Sequence, residues 1–157
     1  LIPMTESQRQ VAYAQALPAL ARSDFRRRFH LSAKDKQYIR DKGWDTIRRH
    51  EAGLSRRFYE AVRDIPGVTV YGDWTAAERA PIVSLNISGM DSGEVSDELS
   101  QRFDIATRPG AHCAPRLHRA LGTTECGAVR FSWCWASTEE ETDTAAQAIR
   151  ILAEEAQ

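Results

Sequence analysis

Residues 81–88 carry the pattern that most restricts the fold, because apolar and polar side chains alternate along them. Val83, Leu85 and Ile87 fall on one side of an extended chain, and polar or small residues fall on the other. A period of two residues is typical of a β-strand with one buried and one polar face. The segment therefore predicts a sheet that is packed on one side only.

Short strands and amphipathic helices alternate along the rest of the chain. The pattern predicts three further strands, at residues 68–71, 105–107 and 127–135. It predicts helices at residues 32–42, 45–65, 92–103 and 115–121, and a last helix from residue 139. From residue 43 the order is α-β-β-α-β-α-β-α. This order predicts an α+β fold, with a mainly antiparallel sheet of about four strands and helices on one face.

Capping signals mark where three of these helices begin. Asp91 or Ser92 can cap the helix that follows it. Thr138 has a glutamate three residues later, which is a capping box. Pro115 in the first turn of a short helix, with Gly122 just past its end, is the usual arrangement of these two residue types.

The composition argues against several classes of function. The chain has 157 residues, with 21 basic and 22 acidic residues and a net charge of −1. This balance favours neither a nucleic-acid-binding nor a membrane-surface protein. No apolar run approaches the roughly 20 residues of a membrane-spanning helix, and no export signal is recognisable. With three cysteines, an odd number, we expect free thiols in a cytoplasmic protein.

The first 31 residues differ from the remainder, and we predict a domain at residues 32–157 preceded by an unassigned segment at 1–31. That segment contains a basic cluster at residues 26–30, which is either a solvated helix face or a contact for a partner. Residue 1 is Leu1 and a methionine comes first at Met4, which suggests a fragment of a longer protein.

A candidate nucleophile, Cys113, lies in the irregular loop at residues 108–115. Thiols react as thiolates, and three local features favour that form. The cysteine precedes a predicted helix start, His112 is adjacent, and Arg108 and Arg116 bring positive charge. The alternative is a buried structural thiol beside an incidental histidine. We interpret Cys126 and Cys134 as structural.

Arg130 is the second candidate, because it lies in the middle of a predicted strand on its polar face. A guanidinium there needs a partner, and a bidentate carboxylate fits its geometry. The partner is either a substrate carboxylate or an acidic side chain of the protein. The spacings of His112, His118 and the cysteines match no common structural zinc pattern, so we expect no metal site.

Two motifs resemble a known family. They are IATRPGAHCAP at residues 105–115 and GAVRFS at residues 127–132. Both are similar to the C-terminal small domain of the class V aminotransferase-like, pyridoxal-phosphate-dependent cysteine desulfurases and selenocysteine lyases. Residues 43–51, 65–72 and 138–143 resemble the family's connecting helix, turn and strand, and last helix. The resemblance covers about residues 32–155, although Asp104 stands where the family usually has glycine.

The resemblance implies a reaction and a set of roles. L-cysteine would bind to pyridoxal 5'-phosphate, and Cys113 would take its sulfur as a persulfide, leaving L-alanine. By motif position, Arg130 would hold the substrate carboxylate, and Arg108 and His112 would flank the loop. Such an enzyme is typically a homodimer and can pass sulfur to an acceptor protein.

The resemblance also implies a large domain of roughly 250 residues that carries the cofactor's lysine. No lysine of this chain lies in the family's context for it, so we expect this chain alone to be inactive. One alternative is a non-catalytic module that relays sulfur or binds a partner. Another is a class V lyase or epimerase, although such chemistry needs no thiol at Cys113.

Overall fold

The computed structural model describes residues 33–157, and within them Asp45–Gln157 form a compact unit. The helices are α1 (Ala33–Lys42), α2 (Trp44–Val62), α3 (Ser92–Phe103), α4 (Pro115–Leu121) and α5 (Glu139–Glu155). The strands are β1 (Val68–Tyr71), β2 (Ile82–Ile87) and β3 (Val129–Ser132). The predicted segment at 1–31, with its basic cluster, lies outside the described residues, so the domain boundary at residue 32 stays a prediction.

The three strands form one antiparallel sheet in the order β1-β2-β3. Val70 pairs with Leu85 on one side of β2, and Ser84 pairs with Arg130 on the other. This register puts the apolar residues of all three strands on the same face. It also puts Arg130 and Ser84 together on the opposite, polar face.

The prediction of four strands is wrong for the described residues, because residues 105–107 do not pair with the sheet. After α3, Asp104 takes the left-handed conformation (φ 56°), and the Ile105 amide donates to the Leu99 carbonyl oxygen at 3.0 Å. The Thr107 hydroxyl then donates to Ser96 Oγ at 2.9 Å. These bonds hold residues 105–107 against α3. The next residue, Arg108, pairs with the sheet only through an isolated bridge to Arg130.

Strand β3 is also shorter than predicted. Its regular part ends at Ser132, although the Trp133 amide still donates to the Pro81 carbonyl oxygen at 3.0 Å. The Cys134 amide instead donates to Ser137 Oγ at 3.1 Å. The chain has therefore turned away from the sheet before the predicted end at residue 135.

The predicted helix caps are confirmed. Asp91 accepts from the Glu94 amide while the Glu94 side chain accepts from the Asp91 amide, and Thr138 and Glu141 make the same reciprocal pair. Each cap satisfies amides that a helix start would otherwise leave without partners. Gly122 ends α4 in the left-handed conformation.

The core lies between the apolar face of the sheet and the helices. Phe58 of α2 is fully buried, and its ring centroid is 4.6 Å from that of Phe131 and 5.1 Å from that of Trp133. Leu99 of α3 and Ile149 of α5 complete this packing with no exposed area. No helix within residues 33–157 has both the length and the apolar character that crossing a bilayer requires.

Candidate active site

The loop that carries Cys113 is attached to β3 at two points. The Arg130 amide donates to the Arg108 carbonyl oxygen at 2.9 Å, and the Arg108 amide donates back at 3.2 Å. Two residues further on, the Ala128 amide donates to the Gly110 carbonyl oxygen at 3.2 Å. The start of the loop is therefore fixed to the strand that carries Arg130.

Cys113 lies in a tight turn with unusual backbone geometry. The Ala114 amide donates to the Ala111 carbonyl oxygen at 2.8 Å, and the two central residues, His112 and Cys113, have φ angles of 51° and 58°. A left-handed conformation costs a residue with a side chain about 1–2 kcal/mol. Two such residues in succession need support from their surroundings, and such strain is concentrated at functional sites. The Cys113 side chain is exposed, so the alternative of a buried structural thiol is wrong.

His112 faces back toward the start of the loop. Its Nε2 lies 2.9 Å from the Arg108 carbonyl oxygen. A carbonyl oxygen only accepts, so Nε2 carries the proton and, in the neutral ring, Nδ1 is free to accept one. The His112 ring centroid is 5.5 Å from that of His118, which is buried and has its Nδ1 2.8 Å from Thr123 Oγ1.

Arg130 has no acidic partner within residues 33–157. Its Nε is buried without a hydrogen bond, and its guanidinium makes no ion pair with a described residue. The structural salt bridge that the sequence left open is therefore not found in this part of the chain. A buried donor without a partner is costly, so a ligand that accepts hydrogen bonds would be stabilised there.

Arg108 adds a second positive charge beside Arg130. The two residues stand directly opposite each other in the isolated bridge, and such a pair projects its side chains from the same face of a sheet. The Arg108 side chain is exposed. Together the two arginines make the polar face of β3 favourable for an anion.

The sequence did not reveal a polar cluster on the same face of the sheet. Asn86 Nδ2 donates to the Gly127 carbonyl oxygen at 2.9 Å and lies 3.3 Å from Tyr71 Oη and 3.4 Å from Cys126 Sγ. Burial raises the pKa of Tyr71, and Cys126 contributes in the same direction. The alternation along β2 places Asn86 on the polar face, but only the strand pairing brings it to these partners.

Cys126 and Cys134 are free and exposed, as Cys113 is, so exposure does not distinguish them from it, and their interpretation as structural thiols stays a prediction. Among the described residues, no group of three or more histidine, cysteine, aspartate or glutamate side chains is arranged to hold a metal ion.

Comparison with known proteins bears on this arrangement of loop and strand. The family model described as "Aminotransferase class-V" matches residues 30–144. The chain belongs to the class V aminotransferase family. This match covers both motifs in which the family resemblance was seen, and members of the family generally depend on pyridoxal phosphate.

The similar class V proteins include cysteine desulfurases. A "Probable cysteine desulfurase" of Halobacterium salinarum is 32% identical over 117 residues, which are 74% of this chain and 27% of that protein. A "Probable cysteine desulfurase 1" of Mycobacterium leprae is 35% identical over 118 residues, 75% of this chain and 18% of that protein. The apo structure of a cysteine desulfurase from Thermococcus onnurineus NA1 superposes with a TM-score of 0.70 at 29% identity, covering 76% of this chain and 29% of that one. The chain thus spans about a quarter of the length of such relatives.

Proposed function

We propose that this chain supplies the sulfur-accepting and carboxylate-binding part of a cysteine desulfurase, with residues 32–157 as the functional module. The reaction would remove sulfur from L-cysteine and give L-alanine and a persulfide on Cys113. The observation that carries the proposal is the pairing of Arg108 with Arg130. It connects an exposed thiol in a strained turn to a guanidinium whose buried Nε has no hydrogen-bond partner among the described residues. The similarity to cysteine desulfurases supports L-cysteine as the substrate.

The residues of the compact unit do not fit the covalent anchor of pyridoxal phosphate. That anchor is a lysine, and the three lysines of the chain, Lys34, Lys36 and Lys42, all precede Asp45. The covalent anchor of the cofactor would therefore lie outside Asp45–Gln157. The proposed roles of this unit concern the substrate and its sulfur alone.

Arg130 would bind the carboxylate of L-cysteine. A carboxylate can accept two parallel hydrogen bonds from a guanidinium, and binding would give the buried Nε an acceptor. Arg108, on the same face, would add attraction for the negative charge. Both side chains belong to strand or bridge positions, so their separation is set by backbone hydrogen bonds.

Cys113 would act as the nucleophile. Its thiolate would attack the sulfur of the bound L-cysteine, and the carbon–sulfur bond of the substrate would break. The electron pair of that bond stays with the substrate carbon, which takes up a proton to become the methyl group of alanine. Cys113 gains one sulfur atom, so L-cysteine and the thiol are converted into L-alanine and the persulfide without another oxidant. The free Nδ1 of His112 is a candidate acceptor for the thiol proton.

The test uses the complete product of the gene that encodes this chain, with pyridoxal phosphate and L-cysteine. We expect alanine to form and mass spectrometry to find one additional sulfur atom on Cys113. Cys113→Ser should abolish the persulfide, whereas the control Cys134→Ser, which also removes an exposed thiol, should leave it unchanged. Alanine formation with sulfur absent from Cys113 would contradict the assignment of the nucleophile.

A second candidate is a module that accepts sulfur from a separate desulfurase, which the exposed Cys113 thiol would also allow. In that case the gene product alone forms no alanine, and Cys113 gains sulfur only when an active desulfurase is added. In either case the sulfur-carrying thiol requires a reducing compartment, and three free, exposed cysteines favour the cytoplasm.

A further inference from the structure

We infer that Ser92 is a positioning residue that holds the Cys113 loop in place, an inference that rests on the proposed role of Cys113. Ser92 is the first residue of α3 and is 5% exposed. Its Oγ donates to the Cys126 carbonyl oxygen at 2.6 Å and accepts from the Gly110 amide at 3.2 Å. One hydroxyl thereby joins the helix start, the approach to β3 and the nucleophile loop.

The backbone is packed closely around Ser92, because Gly127 and Gly110 approach each other beside its hydroxyl. A Cβ on Gly127 would lie 2.6 Å from Gly110 Cα and 2.8 Å from Ser92 Oγ. Glycine is therefore required at residue 127 for the loop, the strand and the hydroxyl to meet. One helical turn after Ser92 in α3, Ser96 Oγ accepts a hydrogen bond from the Thr107 hydroxyl at 2.9 Å. Two buried serines on one side of the helix thus bond the segment that leads to Cys113.

The strain in the turn at His112 and Cys113 is the reason that the hydrogen bonds of Ser92 would affect Cys113. His112 and Cys113 are both left-handed, and their own side chains disfavour that conformation. Hydrogen bonds to the residues before the turn therefore help to hold it in this conformation. Gly110 is the last residue before the turn with hydrogen bonds to the rest of the fold, through its amide to Ser92 and its carbonyl to Ala128. Losing the Ser92 bond would let the turn relax and change how the Cys113 thiol is presented to a reagent.

The test compares Ser92→Ala with Ser100→Ala in the full chain. Ser100 lies on the same helix, is exposed and makes no side-chain hydrogen bond with a described residue. Asp91 still caps α3 in both variants, because its side chain bonds the amides of residues 93 and 94. Amide exchange is followed by NMR at Gly110 and, as a measure of global stability, at Leu99. The rate of alkylation at one fixed pH is measured at Cys113 and, as an internal control, at Cys134.

In Ser92→Ala we expect Gly110 to exchange about tenfold faster, after correction for any change at Leu99, since the amide has lost its acceptor. We also expect the alkylation rate of Cys113 at that pH to change, while the rate of Cys134 does not. Ser100→Ala should change none of these. Gly110 exchange that only follows the change at Leu99, or an unchanged alkylation rate of Cys113, would overturn the inference. Neither readout uses L-cysteine, so failure of the persulfide test would reject the proposed function without deciding the role of Ser92.

Discussion

Two glycines with nearly the same backbone angle offer a quantitative test of how the loop is packed. Gly127 has φ 65° and Gly122 has φ 71°, so a side chain at either position meets the same conformational penalty. Only Gly127 is crowded. An added Cβ there would lie 2.6 Å and 2.8 Å from two backbone atoms of Gly110, whereas nothing lies within 4 Å of a Cβ on Gly122.

The expected losses follow from these contacts. Gly122→Ala should lower the free energy of unfolding by about 1–2 kcal/mol, the cost of the left-handed conformation alone. Gly127→Ala has the same conformational cost. Because it must also displace backbone atoms of Gly110, its free energy of unfolding should fall by a further amount of about 1–3 kcal/mol. For a domain of this size each kcal/mol lowers Tm by about 4 °C. The two variants should therefore differ by about 4–12 °C.

Urea and thermal unfolding followed by circular dichroism measure the difference, and the urea m-value shows whether both variants unfold as the parent does. Gly127→Ala should also increase exchange of the Gly110 amide, because relief of the clash must displace the Cys113 loop. Equal stabilities for the two variants would mean that the loop moves aside without cost. That result would refute the conclusion that the junction at Gly127 is tightly packed.

Three further outcomes are expected. Thr138→Ala should lower the free energy of unfolding by about 1 kcal/mol in urea titrations, because the first turn of α5 loses its cap. Phe58→Ala should cost about 3–5 kcal/mol in the same assay, because a fully buried ring is removed from the core. Hydrogen bonding from Arg57 lowers the pKa of Asp143, whose oxygens lie 2.6 and 2.7 Å from the guanidinium nitrogens. The pair's contribution should therefore be present above the unfolded pKa near 3.9 and be lost as the pH falls through the folded value. Asp143→Asn should weaken this acid dependence in unfolding titrations at low salt.

The elements that the sequence predicts well are those set by neighbouring residues. The alternation in β2 and the caps at Asp91 and Thr138 depend on side chains within a few positions, and each is present as predicted. The mid-strand, polar-face position of Arg130 follows from the same local period. These features can be predicted without knowing which distant segments of the chain pack together.

The predictions that were wrong depend on contacts between distant segments. Residues 105–107 have the composition of a strand, but the bond from Thr107 to Ser96 and the left-handed Asp104 keep them beside α3. Glycine adopts that conformation far more readily than other residues, so Asp104 gave little local indication of it. The exposure of Cys126 likewise depends on how the segment before β3 packs, which periodicity does not determine.

The two sides of the sheet explain how fold and chemistry are connected. Burial of Val83, Leu85 and Val129 fixes which face of each strand turns toward the helices, so Ser84 and Arg130 must face the other way. A one-residue change in register would bury the guanidinium among apolar side chains, which is strongly unfavourable. Arg130 is therefore held on the polar face by the packing energy of the core. Because Arg108 pairs with Arg130, the same energy also fixes where the Cys113 loop begins.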